Sequence, residues 1–200
     1  MEKDTRLKLI ETATPLFAKN GFAAVSVREL AKAADANVAA VSYHFGGKEG
    51  LYQAVLEEQF APIASLLEKL PPPSAASGEA RLRFYAENII GIHHQRPYFI
   101  RIMTSEMTNP TVCFHVIKKY ISQVFGFIRQ ALADGVADGE FRTDLNVDLA
   151  VPALAGIMNF LFIGRRIAIE MLPLPEQAEK KYTDQAFAIY LNGIRRGDHE

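Results

Sequence analysis

Only one of the 200 residues is a cysteine, Cys113. That excludes an intramolecular disulfide and fits a reducing compartment. Long apolar runs are missing too. The uncharged stretches are interrupted within about 15 residues, short of the ~20 that a membrane-spanning helix needs. The opening segment MEKDTRLKLIE mixes charges and has no apolar core of a secretory signal. The expectation is a cytoplasmic protein with no membrane partner. A basic excess is also absent. Net charge is -1, and residues 1–50 hold seven Lys/Arg against six Asp/Glu. Any nucleic-acid affinity must therefore come from charges placed on one face and from helix N-termini, not from a broad basic surface.

Catalytic signatures are equally scarce. No nucleophile elbow, phosphate loop or HExxH occurs, and the acidic stretch Asp144–Asp148 reads as helix-terminal charge. His93, His94, His115, Cys113 and Glu106 match no dense metal-ligand spacing, and adjacent histidines diverge on a helix. Structural or surface roles explain them, so neither an enzyme, a metal site nor a cofactor is expected.

What the chain does contain is helix. Apolar residues make up 49%, and no run alternates apolar and polar residues for long. The first helix is expected from about Asp4, a candidate cap, to Lys19. Leu7, Ile10, Ala13, Leu16 and Phe17 should face inward, and Asn20-Gly21 should close it. Pro15 should cost this helix a hydrogen bond or kink it.

Ser26-x-x-Glu29 is a capping box for a second helix carrying Val27, Leu30, Ala31 and Ala34 inward. Asp35 sits where the chain must turn. Asn37 caps a third helix, Val38 to Phe45; Gly46-Gly47 breaks it, and Lys48 opens a long fourth helix to about Leu70. PPPSAASG (71–78) reads as an interhelical loop. Later helices are expected at about 79–94, 97–106, 109–134, 147–171 and 176–194. Asn109-Pro110 marks one start, and Asp134-Gly135 with Asp138-Gly139 brackets a break.

The third helix has two faces. Val41 and Phe45 can join Leu30, Ala36 and Phe17 in a core. Val38, Ala39, Ser42 and Tyr43 then point away, with Ala40 and His44 at the edges. Small residues allow close approach to base edges, and apolar ones can touch a thymine methyl. Ser42, Tyr43 and His44 can bond phosphates or bases. Lys48 and the backbone N–H groups beside it suit a phosphate. Periodicity alone fits a plain three-helix bundle equally well.

The segment Ser26–Tyr52, SVRELAKAADANVAAVSYHFGGKEGLY, resembles the DNA-binding domain of TetR/AcrR-family transcriptional regulators. PLFAKNGFAAVSV before it is similar to the family's first helix and turn. YHFGGKEGLY looks like the subgroup hallmark YHFGxKEGLY. Two positions depart from the family pattern. Asp35 stands where a turn glycine is usual, and Asn37-Val38 replaces a common Ser-Lys pair, removing one phosphate contact.

The resemblance implies an all-α protein. An N-terminal three-helix helix-turn-helix domain (1–47) precedes a helical ligand-binding and dimerisation domain (48–200). It implies a repressor acting as a homodimer on a pseudo-palindromic double-stranded DNA operator and released by a small-molecule inducer of unknown identity. Ser26, Arg28, Asn37, Val38, Ala39, Ala40, Ser42, Tyr43, His44 and Lys48 are the expected DNA contacts. Phe60, Ile63, Leu67, Phe84, Ile89, His93, Phe99, Met103, Phe114 and Asn159 are the expected inducer pocket, although ordinary core explains most of them as well. LAVPALAGIMNFLFIG (149–164) is apolar all round and should be buried on every face, best across a two-fold axis. The alternative is a small-molecule binding protein of the same fold with weak or lost DNA binding.

Overall fold

Local side-chain chemistry sets where several helices start. In a computed structural model describing residues 2–69 and 75–196, Ser26, Asn37 and Asn146 each turn a side-chain oxygen onto the first free N–H groups of a helix. Each such cap is worth about 1 kcal/mol. The described residues form ten helices: α1 (Glu2–Ala24), α2 (Val27–Ala33), α3 (Val38–Phe45), α4 (Lys48–Glu68), α5 (Gly78–Gln95), α6 (Phe99–Thr108), α7 (Phe114–Ala137), α8 (Val147–Ile163), α9 (Arg165–Met171) and α10 (Ala178–Ile194). The chain is all-α, as expected. Pro71 to Ser74 of the expected loop, and Leu70, lie outside the described residues.

Packing divides the chain into two units, Met1–Pro62 with Arg96–Tyr120, and Ile63–Gln95 with Ile121–Glu200. This division runs through α4 at Pro62 and draws α6 into the first unit, whereas the sequence suggested a boundary at Lys48.

The first unit is built on Leu9, Ala13, Phe17, Leu30, Val41, Leu51, Val55 and Phe60, all nearly or fully buried. The tyrosine ring of Tyr52 meets Phe17 edge-on at 4.7 Å and Phe22 at 5.0 Å. Such pairs add about 0.5–1.5 kcal/mol beyond area burial. The Tyr52 hydroxyl donates to the buried Glu106 carboxylate of α6 at 2.8 Å. The N–H and hydroxyl of Thr111 donate to the same carboxylate, each at 3.1 Å. Burial and this carboxylate push the Tyr52 hydroxyl well above the ordinary range, so it stays a donor.

Several expectations for this region need correcting. α1 starts at Glu2, so Asp4 lies inside the helix and caps nothing. Ile10, Ala13 and Phe17 are buried as expected, but Leu7 is exposed and Leu9, on the opposite side of the helix from it, is core. Pro15 keeps helical dihedrals; the break falls at Gly21, whose φ of 77° and ψ of 164° suit only glycine. Asn109 ends α6 instead of opening the next helix, and α7 begins only at Phe114. The Thr111–Glu106 bonds hold that intervening turn.

In the second unit α10 packs on α5 and α8. Glu140 accepts from the N–H groups of Gly78 and Glu79, capping α5 from across the chain. Asp134-Gly135 does not interrupt α7. A Cβ on Gly135 would overlap the buried Phe141 ring, and one on Gly78 would come within 3.0 Å of the Gly135 backbone. Glycine is there for close packing; the chain turns at Gly139, φ 76°. The helix expected over 147–171 is broken at Gly164, with α8 and α9 meeting at 64°. α8 is not buried on every face of the protomer. Ala150, Val151, Leu154, Met158 and Leu161 are buried, while Leu149, Phe160 and Ile163 are more than half exposed. Among the described residues no single helix is long and apolar enough to cross a membrane.

Candidate nucleic-acid interface

The geometry of α2 and α3 follows from a short run of caps and turns. Ser26 N–H donates to Glu29 Oε2 at 2.7 Å, and Glu29 N–H to Ser26 Oγ at 3.2 Å. The Ser26 bonds hold the Glu29 carboxyl below its usual range. Asp35 takes φ 50° in the turn, which Asp tolerates better than most residues. Asn37 Oδ1 accepts from Ala39 N–H at 2.9 Å and starts α3. Gly46, φ 73°, closes α3 with its N–H on Ser42 O, and Gly47 at φ 134° leads into α4.

α3 therefore has a fixed inside and outside. Val41 is fully buried. Asn37, Val38, Ala39, Ser42 and Tyr43 are exposed, as are Ser26 and Arg28; Ala40, His44 and Lys48 are half-buried. The Tyr43 ring projects, 74% exposed against 45% for Val38. The Ser26 hydroxyl is committed to Glu29 at 2.7 Å and Asn37 Oδ1 to its cap, which leaves Asn37 Nδ2 to donate outward. Lys48 Nζ lies 3.3 Å from Ala23 O and 4.4 Å from the Phe22 ring centre, so its ammonium is steered by the end of α1. The face offers hydroxyls, an amide, an imidazole, Lys48 and Arg28 of α2, but no Arg or Lys on α3 itself.

Two residues that sequence reasoning gave no role also shape this face. A Cβ on Gly50, in the first turn of α4, would overlap the Phe45 carbonyl oxygen at the end of α3. A glycine there, where helices disfavour it, was the available signal. Arg6 of α1 places its guanidinium 5.2 Å from the centre of the Phe45 ring. Nothing local joins residues so far apart in sequence.

The expected inducer-pocket residues do not fall in one unit. In the first, Phe60 packs edge-on against Phe99 at 4.9 Å and stacks near Tyr120; both phenylalanines are fully buried, and Met103 and Phe114 are half-buried. In the second, Ile63 and Ile89 are buried and Leu67 is half-buried. There Phe84 lines an open cleft of about 590 Å³ with Ser77, Arg83, Glu87 and Glu140. His93 and Asn159 do meet. His93 Nε2 lies 2.9 Å from Asn159 Oδ1, Asn159 Nδ2 donates to Ala155 O at 2.8 Å, and the Phe162 ring stacks on the imidazole at 3.7 Å. With Nδ2 spent on Ala155, Oδ1 accepts, so Nε2 carries the proton.

Burial holds the His93 pKa down at about 4, against the opposing pull of the Asn159 bond. Between pH 6.5 and 4 the unfolded chain binds a proton there that the folded one does not. Stability from this site is thus complete above about pH 6.5 and is lost as pH falls toward 4, by on the order of 3 kcal/mol. Denaturant titrations at pH 7 and pH 4 should show the wild type losing about that much more than His93→Gln.

A family model for bacterial regulatory proteins of the TetR family matches residues 9–55. The probable HTH-type transcriptional regulator YttP of Bacillus subtilis (strain 168) is 30% identical over 145 residues, covering 72% of this chain and 70% of its own length. The chain belongs to the TetR family. It is a DNA-binding transcriptional regulator by that membership. The transcriptional repressor NicS of Pseudomonas putida (strain KT2440) is 25% identical over 198 residues, covering 96% of this chain and 93% of its own. The crystal structure of a TetR family regulator from Chloroflexus aurantiacus J-10-FL superposes with a TM-score of 0.75 over 98% of this chain and 95% of that one, at 20% identity, which speaks to the fold. These relatives are regulators and not enzymes.

Proposed function

We propose that this TetR-family regulator is a ligand-responsive, cytoplasmic, homodimeric repressor that binds a pseudo-palindromic operator through α2, α3 and the start of α4. The observation that carries the reading is the outward face of α3, where Val38, Ala39, Ser42 and Tyr43 project from a helix anchored by Val41. Tyr43, His44 and Lys48 hold phosphates. Val38 and Ala39 read base shape and thymine methyls, and Asn37 Nδ2 is free to donate. The YHFGGKEGLY segment supports assignment to a subgroup sharing that hallmark. In functional terms residues 1–47 read DNA and 48–200 sense ligand and dimerise.

The dimer reading rests on the bare side of the second unit. Leu149, Phe160 and Ile163 of α8, with Ile189 of α10, leave an apolar surface in water. Patches of that kind mark interaction sites. Two copies related by a two-fold axis would present two α3 helices to successive major-groove turns. Inducer must then bind the low-affinity arrangement more tightly, and operator must reciprocally weaken inducer. His93 and Asn159 are the polar pair best suited to orient such a ligand.

Tyr43→Ala and Lys48→Ala should weaken operator binding and leave the dimer intact. Lys48→Ala should act about equally on all sequences and lower the salt slope by about one unit per head. Gel shifts at several salt concentrations read both effects. Unchanged binding by both variants would remove the proposed contact surface, and a monomer by sedimentation at micromolar concentration would remove the dimer. One observation favours a ligand-binding protein with weak DNA affinity instead. The Lys48 ammonium is shared with Ala23 O and Phe22, and α3 carries no Lys or Arg.

A further inference from the structure

The face described above is short of positive charge. α3 supplies no Lys or Arg, and the Lys48 ammonium already serves Ala23 O and the Phe22 ring. DNA affinity nonetheless depends chiefly on cations that displace counterions from phosphates. Arg28 of α2 is exposed on this face, and a further cation at the edge of α3 itself would strengthen its hold on a duplex.

Arg6 stands there. It is exposed, and its guanidinium carbon lies 5.2 Å from the centre of the Phe45 ring, the last residue of α3. Among the described residues no carboxylate pairs with it, whereas Lys8, two residues on, faces Asp35 at 3.9 Å. Phe45 itself is half-buried and follows the exposed Ser42 and Tyr43 by less than one turn. A guanidinium laid on an aromatic face keeps its N–H edge free, and that planar edge matches two phosphate oxygens. The stack also fixes a long side chain that would otherwise lose rotamer entropy on binding.

We propose that Arg6, stacked on Phe45, is a preformed DNA-phosphate contact at the C-terminal edge of the recognition helix. It rests on the reading of α3 as the DNA-facing helix. The contact is sequence-independent, and it offsets the lack of a cation on α3.

The test uses the full-length protein and a fluorescein-labelled duplex of mixed sequence, titrated by anisotropy at several salt concentrations. Wild type should bind with a negative salt slope. Arg6→Ala should weaken binding about tenfold at low salt and reduce the slope by about 0.9 per bound head, one phosphate's worth of counterion release. Arg6→Lys should keep most of the slope while losing part of the affinity. Arg6→Gln, equal in length and uncharged, should behave like Arg6→Ala, with thermal melts by circular dichroism unchanged for all three. An unchanged isotherm and slope for Arg6→Ala and Arg6→Gln would overturn the phosphate contact while leaving DNA binding in place. Weaker binding with an unchanged slope would also overturn it, making Arg6 a support for α3 only. A wild type that binds no duplex would overturn the underlying reading, and the contact with it.

Discussion

Gly50→Ala should abolish tight DNA binding. The added methyl cannot avoid the Phe45 carbonyl oxygen, and the obstacle is backbone, not a side chain that can rotate away. α3 must move relative to α4, or the first turn of α4 must unwind. Overpacking of this kind costs about 1–3 kcal/mol in stability. The functional loss should be larger. Lys48 belongs to the displaced turn, and the displaced helix carries Tyr43. Losing two charge-assisted or hydroxyl contacts per head amounts to about 3 kcal/mol, roughly a hundredfold in affinity. Paired binding and melting curves would separate the two consequences. Because helix propensity favours Ala over Gly, a gain in stability would mean that α3 and α4 are not in contact here.

Phe60→Ala should be the most destabilising single truncation in the first unit. Phe60 is fully buried, edge-on to Phe99 at 4.9 Å and stacked at 5.6 Å on Tyr120. Removing its ring leaves a cavity bounded by those rings, at a cost of about 3–5 kcal/mol. For a chain of this length that is a fall in melting temperature of about 10 °C. Phe60 also bears on the ligand reading. A side chain on the wall of an open pocket would lose little on truncation, because the pocket already lacks neighbours on that side. A fall of only 1–2 °C would therefore assign Phe60 to a pocket wall, and a fall of about 10 °C to the core.

The N-terminal helices were legible from sequence because their signals are local. Ser26 and Glu29 are three residues apart, Asn37 touches its own second neighbour, and Gly46 ends α3 by its own dihedral. Val41 and the outward set Val38, Ala39, Ser42 and Tyr43 follow from a period of 3.6 residues once those ends are known. The failures come from contacts that neither capping rules nor helical period encode. Asn109-Pro110 resembles a helix start, but Glu106 holds Thr111 and delays α7 to Phe114. Gly135 resembles a breaker, but it is small because Phe141 and Gly78 press on it. Asp4 is a good cap residue placed one turn too late to act as one. Arg6 and Gly50 shape the candidate site through Phe45, and no spacing rule connects them. The expected pocket residues suffered most. Apolar character identifies the interior of either unit without telling a core position from a cavity wall.

The outward face of α3 is the proposed grip on duplex DNA. The most direct measurement is a binding isotherm, at physiological salt, on the DNA immediately upstream of its own coding region, run beside Tyr43→Ala and Gly50→Ala. Saturable binding with a Kd of about 10 nM or tighter, two protomers per site, and loss of that affinity in both variants are the expected results. No binding at micromolar protein, or binding that both variants retain in full, would contradict this role of α3.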